Sequence, residues 1–440
     1  VNIDRFDIVV IGAGPAGLRA TQIALAEGMR VALIDDNPRP GGQVWRQGPG
    51  FKTADPLKRW FAQTALHAGL TQMNGARVIA ATGDKRLLVE CDEGPLQVRY
   101  ERLILATGAR ERLLPFDGWA LPGVTGAGAL QALIKGGVDV AGERIVIAGS
   151  GPLLLAAAAT ARQRGAEVVA VYERATFARV MRFGVSLAGV PGKLAQACGL
   201  VRAVGVSRYR TGSVVVAALG GSKVEAVTVR SKGREETVEC DRVANGCGLL
   251  PNTSVAHALG CELDKGARGG IRVDERQRTT VDDILAAGEC TGVGGMELAR
   301  AEGAIAAYAA LGIDDARMAQ ECRVRRRWQR FAARVEEAFE AGASPWPLPS
   351  AQTLLCRCED VSVGTVAQYA NWRDAKLHTR CGMGACQGRI CGTAAASFFG
   401  WSMDDVRAGA PPRPPISPAR IGTLMAACLE EPFDRGEHPF

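Results

Sequence analysis

The feature that most limits what this chain can become is its opening run, "FDIVVIGAGPAGLRATQIALAEGMRVALIDD". Ile8 to Ile11 form a continuous apolar run suited to a strand buried on both faces of a parallel sheet. Gly12, Gly14 and Gly17 follow as G-x-G-x-x-G, with Pro15 and Ala16 between the last two. Leu18 to Glu27 read as a helix ending at Gly28. Arg30 to Ile34 read as a second strand, ending at Asp35, eighteen positions after Gly17. Each part has a task in holding a dinucleotide. Gly12 permits a tight turn, Gly14 lets a pyrophosphate approach the backbone, and Gly17 permits close helix–strand packing. The helix N-terminus offers free N–H groups to phosphate. Asp35, with Asp36 beside it, can accept hydrogen bonds from ribose hydroxyls. Strand, glycines, helix, strand and acid in register define a Rossmann-like α/β unit.

A second unit begins at "GERIVIAGSGPLLLAAAATARQRGAEVVAVYER". Gly149 and Gly151 are present, but Leu154 stands at the third glycine position, and the acid falls one residue late, at Glu173. A leucine there pushes the helix from the strand or demands other packing. Two readings follow. The unit keeps its fold but no longer binds NAD(P)H, which the substitutions favour, or it holds ATP, AMP or another nucleotide in a relaxed mode. No C-x-x-C lies in this region, so a redox disulfide is not expected.

"LILATGARERLLPFDGW" places Ala106, Thr107 and Gly108 after an apolar strand, and "DDILAAGECTGVGG" places Gly288 and Glu289 after another. This arrangement resembles the two-dinucleotide flavoprotein superfamily of glutathione and thioredoxin reductases, over residues 5 to about 310. The resemblance implies FAD at the first site. It implies contacts from Gly12, Gly14, Pro15, Ala16, Gly17, Asp35, Asp36, Gly42, Gln43, Val78, Ala106, Thr107, Gly108, Gly288 and Glu289. Glu289 stands where aspartate is commoner. "GCGLLPNTS", residues 246–254, resembles the segment that returns the chain to the FAD domain. The implied FAD domain is therefore discontinuous, 1–140 and 245–315, around a second domain at 141–244.

Thirteen cysteines in a chain expected to be cytoplasmic argue against a disulfide framework. Most are scattered, but Cys356, Cys358, Cys381, Cys386 and Cys391 crowd together. Zinc knuckles prefer C-x2-C. Here C-x-C precedes C-x4-C, and His378 is the one histidine near ligand spacing. Glycines 382, 384, 388 and 392 would bring backbone N–H groups to inorganic sulfide, which favours 2Fe–2S over zinc. The segment resembles the bacterioferritin-associated-ferredoxin-like domain, a small helical 2Fe–2S unit expected over 351–405. That resemblance assigns the ligand roles to Cys356, Cys358, Cys386 and Cys391. Cys381 falls where relatives often carry an aliphatic residue. By spacing alone, Cys381 in place of Cys391 stays open.

Between the two parts, "CRVRRRWQRFAARVEEAFEAG" is basic, but Trp328, Phe331, Val335 and Phe339 recur at helical spacing. An amphipathic surface or subunit-facing helix is expected rather than a nucleic-acid interface, despite the net charge of +7. The helix and linker occupy 316–350, ending in the proline-rich "SPWPLPS". Residues 406–440 read as an extended tail strapped across the surface. No apolar run is long enough to span a bilayer, and the opening residues lack the marks of a signal peptide. The expectation is a cytoplasmic protein, free or associated with the inner face of the membrane.

The whole pattern resembles the α subunit of multimeric bacterial dehydrogenases, a group that includes opine, D-hydroxyproline and L-proline dehydrogenases and hydrogen cyanide synthase. "RPGGQVWRQ", "ATGARERLLPF" and "TRCGMGACQGRICG" are its most specific pieces. The resemblance implies an electron-relaying subunit with FAD and 2Fe–2S. A flavoprotein β subunit, with or without a further small subunit, oxidises a C–N bond, and a respiratory quinone or other acceptor takes the electrons. With four histidines, none in a recognisable catalytic context, no catalytic residue is assigned to this chain. The alternatives are a stand-alone NAD(P)H-dependent FAD/iron–sulfur reductase, and a nucleotide sensor with a zinc-held docking module.

Overall fold

The computed structural model describes residues 3–64, 66–83, 85–265, 269–340, 345–408 and 413–428. The apolar run at the start becomes the strand Ile3–Ile11. It pairs in parallel with Val31–Asp35 on one side and Gly94–Leu105 on the other. Leu70–Asn74 and Ile284–Ala286 extend the parallel part. Arg77–Ala81 and Arg86–Cys91 join Gly94–Leu105 in an antiparallel meander, completing a seven-stranded sheet. The first helix spans Pro15–Ala26, starting earlier than the apolar pattern indicates. Proline is pre-shaped for the first helical turn, where its missing N–H costs nothing. This helix packs on Met296–Ala310 so closely that a Cβ on Gly303 would stand 2.2 Å from the Ala16 carbonyl oxygen.

The second unit is a five-stranded parallel sheet, in the order Tyr209–Thr211, Glu167–Glu173, Arg144–Gly149, Arg242–Gly246, Val124–Thr125. Helices Ala127–Lys135 and Leu153–Gln163 bury one face of it. The antiparallel strands Ser213–Leu219, Ala226–Ser231 and Arg234–Glu239 cover the other, through Val215, Val227 and Val229. The chain leaves the first unit and returns to it through a two-stranded ribbon, Ala109–Glu111 against Leu249–Pro251.

The basic amphipathic segment is a 24-residue helix, Ala316–Phe339, whose first turn is capped by the Asp315 carboxylate. Its apolar stripe is covered by its own chain: Phe331 and Phe339 meet Phe183 of the helix Phe177–Ser186, and Val335 packs in the same cluster. The cysteine module follows. It holds a short hairpin, Leu354–Cys356 against Val361–Ser362, and the helices Trp372–Thr379, Cys391–Phe399 and Met403–Ala408. Trp372, 1% exposed, is at its centre. The module packs on Leu114 and Cys247 of the flavoprotein part. Asp117 accepts hydrogen bonds from Ser350 and Thr353, and the Trp119 indole N–H donates to the Leu354 carbonyl over 2.8 Å.

Beyond it, the Ile416 N–H donates to Ile79, Thr423 and Arg420 bond Glu90, and a helix forms at Ile421–Cys428. Over 413–428 the segment read as an extended tail is clipped to the meander and ends in a helix, and its residues 409–412 and 429–440 lie outside the described residues. Among the described residues no helix is long and apolar enough to cross a membrane.

Trp119→Phe removes the indole donor and leaves the Leu354 carbonyl unpaired, at a cost of about 1–2 kcal/mol. Limited proteolysis is expected to release the 345–408 region faster than in the parent chain, with flavin binding retained.

Candidate flavin site and cysteine centre

Gly12 turns at φ +107° directly beneath the Ala106 carbonyl, and a Cβ there would stand 2.2 Å from that oxygen. A Cβ on Gly17 would stand 1.8 Å from the Gly12 carbonyl oxygen. Both glycines are therefore required by backbone-on-backbone contact. Gly14 differs. A Cβ there would meet nothing within 4 Å, and the same holds at Gly108. These are the open positions over which a ligand's phosphates and ring can lie.

The remaining expected residues gather round this turn. Gly42 abuts Gly14, and the Gly41 N–H donates to the Ala13 carbonyl. Gly288 abuts the Ala16 methyl, and Pro15 opens the helix. The Asp35 carboxylate is buried and accepts from the Ala13 N–H over 2.5 Å and from the Asn37 N–H over 2.8 Å. Asp36 is exposed at its side, with its pKa raised by desolvation and by the Asp35 charge. Thr107 and Asn252 exchange hydrogen bonds: the Thr107 hydroxyl donates to the Asn252 carbonyl, and the Asn252 amide to the Thr107 carbonyl. Gln43 is exposed and accepts from Arg46. Val78 packs with Ile11 and Ile34 in the core on one face of the sheet.

Glu289 is half-buried, and burial raises its pKa. Nearby is a group that no motif singles out. Glu302, 5% exposed, accepts from the Gly288 N–H over 2.9 Å and from the Thr291 hydroxyl over 3.3 Å. Burial pushes its pKa up to about 7. Its one mark in the sequence is a glutamate on the inner face of the apolar helix "MELARAEGAIAAYAA".

The second glycine turn has the same backbone logic. Gly149 turns at φ +131°, where a Cβ would stand 1.9 Å from the Gly246 carbonyl oxygen. Leu154 is fully buried, and its side chain packs against Gly246 and Ala127 in the helix–sheet core. The helix begins at Leu153, one position later than in the first unit.

Glu173 reaches the turn even though it is one residue late. It accepts from the Gly151 N–H over 2.9 Å, the Ser150 hydroxyl over 2.9 Å, the Ala175 N–H over 2.8 Å and the Tyr209 hydroxyl over 3.3 Å. It is fully buried, and burial raises its pKa. The shifted register therefore does not remove the acid from the turn; it turns the acid inward. The carbonyl of Phe339, the last residue of the long helix, lies 2.8 Å from the same Ser150 hydroxyl, whose one proton serves Glu173 or Phe339 in turn. The Arg174 guanidinium stacks on Trp346, 4.2 Å from the ring centre. The chain's own helix end and linker thus lie on the second glycine turn, which no pattern in the sequence announced.

In the cysteine module, Cys356, Cys381 and Cys391 have sulfur atoms within 4.8 Å of one another, and all three are buried. Cys391 shares hydrogen bonds with Cys356, Cys381 and Cys386, and Cys386 with Cys358. This sharing holds the Cys356 and Cys386 thiols well below the usual range and Cys391 above it. The structure thus gathers Cys356, Cys381 and Cys391 into one buried trio, which puts Cys381, expected to be a spare thiol, beside two of the expected ligands. Soft sulfur donors grouped in this way suit a thiophilic metal centre. The glycines have a packing role as well as the expected one, since the Gly382 N–H faces the Cys356 sulfur and the Gly388 N–H the Cys386 sulfur. Gly382, Gly388 and Gly392 lie against the Trp372 ring, and Gly384 against Cys358. A side chain at three of these positions would meet the indole. The His378 ring is stacked on Tyr369.

Two Rossmann-like units, an open glycine turn in the first and a thiol centre beyond them describe a flavoprotein oxidoreductase. The pyridine nucleotide-disulphide oxidoreductase family matches residues 6–307, and the chain belongs to that family, which implies FAD. It is 33% identical over 422 residues to hydrogen cyanide synthase subunit HcnB of Pseudomonas aeruginosa, covering 87% of this chain and 90% of that one. It is 31% identical to an opine oxidase subunit of Rhizobium meliloti, covering 97% and 99%. The chain belongs with these subunits. The fold of L-proline dehydrogenase from P. horikoshii superposes with a TM-score of 0.67 at 20% identity, over 96% of this chain and 80% of that one.

Glu302 binds its proton more tightly in the folded chain than in the unfolded one, where 4.5 is ordinary. Its contribution is fully present below that value and is lost as pH rises through about 7. Chemical denaturation from pH 4.5 to 7.5 is expected to lose up to about 3 kcal/mol on this account. Glu302→Gln is expected to flatten that slope.

Proposed function

We propose that this chain is the FAD and 2Fe–2S subunit of a heteromeric dehydrogenase that oxidises a C–N bond of an amino or imino acid. Its role is electron relay, and the substrate pocket belongs to a β subunit. The observation that carries the reading is the hydrogen bond from Ser150 to Phe339. A hydride donor needs its pyrophosphate over the second glycine turn, at a helix N-terminus. That place is taken by the carbonyl end of another helix, which carries the negative end of its dipole. Glu173, which would accept the ribose hydroxyls, is turned inward onto the Gly151 and Ala175 N–H groups and the Tyr209 hydroxyl, and it shares the Ser150 hydroxyl with Phe339. These contacts oppose both NAD(P)H and a relaxed nucleotide at the second site, and they disfavour the stand-alone reductase.

When bound, FAD carries an electron pair and a 2Fe–2S centre carries one electron at a time, which suits delivery to a quinone or another acceptor. The residues of this chain hold those groups. Gly12, Gly14 and Gly17 shape the phosphate seat, Asp35 holds the turn and faces the ribose, and Ala106 to Gly108 with Gly288 and Glu289 form the far wall. Cys356, Cys358, Cys386 and Cys391 hold the cluster, and Cys381 packs beside it. The bounds expected from the sequence, 1–140 with 245–315 for FAD and 141–244 for the second unit, shift in this reading to the ribbon at Ala109–Glu111 and Leu249–Pro251, because Val124–Thr125 and Ala127–Lys135 pack in the second unit, and the cluster keeps 351–405. The names of the relatives, each a subunit, support the partner.

Anaerobic NADH titration of the purified chain is expected to leave the flavin absorbance unbleached. A β subunit with a secondary amine substrate is expected to bleach it. Stoichiometric bleaching by NADH would return the chain to the reductase reading. Cys386→Ser and Cys391→Ser are expected to lose iron and the visible cluster spectrum, whereas Cys381→Ala retains both. Loss of the spectrum in Cys381→Ala would exchange its role with that of another cysteine.

A further inference from the structure

Arg110 follows directly on the Ala106-Thr107-Gly108 wall, in the ribbon strand Ala109–Glu111. Its guanidinium spans the two halves of the molecule. Nη1 donates to the Pro251 carbonyl over 3.1 Å, and Nη2 donates to the Arg389 carbonyl over 3.2 Å. Arg389 lies in the loop between Cys386 and Cys391, and its N–H closes a turn onto the Cys386 carbonyl. One side chain thus links the wall of the first dinucleotide site to the loop carrying two of the thiols.

The charges at this junction do not balance. Arg110, Arg389 and Arg407 flank one cavity of about 90 Å³, with His257 beside them. Arg407 has an ion pair with Asp404. Among the described residues neither Arg110 nor Arg389 has a carboxylate partner; their hydrogen bonds go to the carbonyls of Pro251, Arg389 and Ile416. Partly buried guanidiniums without counter-charge are unfavourable unless an anion stands nearby. Arg389 is held on the Cys386 carbonyl by its own N–H, and Arg110 on the Arg389 carbonyl, so both arginines are anchored to the loop that carries Cys386 and Cys391. A centre of four thiolates, two sulfides and two ferric ions carries two net negative charges, and three once reduced.

We propose that Arg110 and Arg389 are positioning residues whose charges face the cluster at Cys386 and favour its reduced form, with Arg110 also tying the cluster loop to the flavin wall. A 2Fe–2S cluster held there would gain one negative charge on accepting an electron from reduced flavin, and the two guanidiniums would stabilise that charge. No atom is transferred and no other reductant is needed. Fixed cations near an iron–sulfur centre raise its potential because they stabilise the added charge.

This inference rests on the cluster assignment made above, and one experiment separates the two. The full-length chain, its Arg110→Gln, Arg110→Lys and Arg389→Gln variants are titrated against redox mediators, with cluster reduction followed by electron paramagnetic resonance. Both glutamine variants are expected to lower the reduced-to-oxidised ratio at the parent midpoint about tenfold, a downward shift of about 59 mV for one electron. Arg110→Lys, which keeps the charge, is expected to stay near the parent. A parent chain without iron and sulfide would overturn the cluster assignment and this inference with it. A loaded parent whose glutamine variants keep its midpoint would overturn the inference alone. Cluster loss in both glutamine variants, with the lysine variant loaded, would make the arginines merely structural and overturn it as well.

Discussion

The first unit depends on backbone lying against backbone. Gly12 sits under the Ala106 carbonyl, Gly17 against the Gly12 carbonyl, and Gly303 against the Ala16 carbonyl. No side chain fits at any of the three, because each contact is already at or inside van der Waals distance. These contacts bring the ends of two strands, the start of one helix and the middle of another to one point. The seat they leave is open at Gly14 and Gly108, and it faces a helix N-terminus where an anion is stabilised. The ribbon at Ala109–Glu111 and Leu249–Pro251 leads away from this point, so what the seat holds is wired to whatever the ribbon touches.

The second glycine turn shows that the same local chemistry can have a different fate. Gly149 has the left-handed conformation and the close carbonyl contact of Gly12, and Glu173 reaches its turn as Asp35 does. The difference lies in what covers it. In the first unit the approach is free; in the second, Phe339 and Trp346 lie on the turn and on Arg174. Leu154, which breaks the glycine pattern, is an ordinary core residue, and the helix begins one position later around it. The site is closed by distant residues of the same chain.

At the far end, a buried trio of thiols and three guanidiniums lie where the cysteine module docks on the ribbon. A thiol-rich module hung on a linker would need no such arginines. Arg110 and Arg389 are bonded there to carbonyls rather than to carboxylates, while Arg407 is paired with Asp404, so positive charge collects at the interface between the two parts. Trp372 sets the interior of the module, and the glycines among the cysteines are small because that ring is large.

Local features were legible without coordinates. The first strand–turn–helix, the acid at Asp35, the amphipathic helix and the crowding of five cysteines all rest on spacing, and spacing within one element determines which groups share a face. The early start of the first helix at Pro15 was a boundary matter of two or three residues. What the sequence by itself determined was therefore the set of parts and the chemistry each can hold. Only the tertiary structure decided that Phe339 reaches Ser150 across 189 positions, that Glu302 is buried beneath Gly288, and that Arg110 reaches Arg389 across 279. Such contacts carry no periodic signature, because they arise from the docking of complete elements, and one side chain's partner there depends on every packed surface between them.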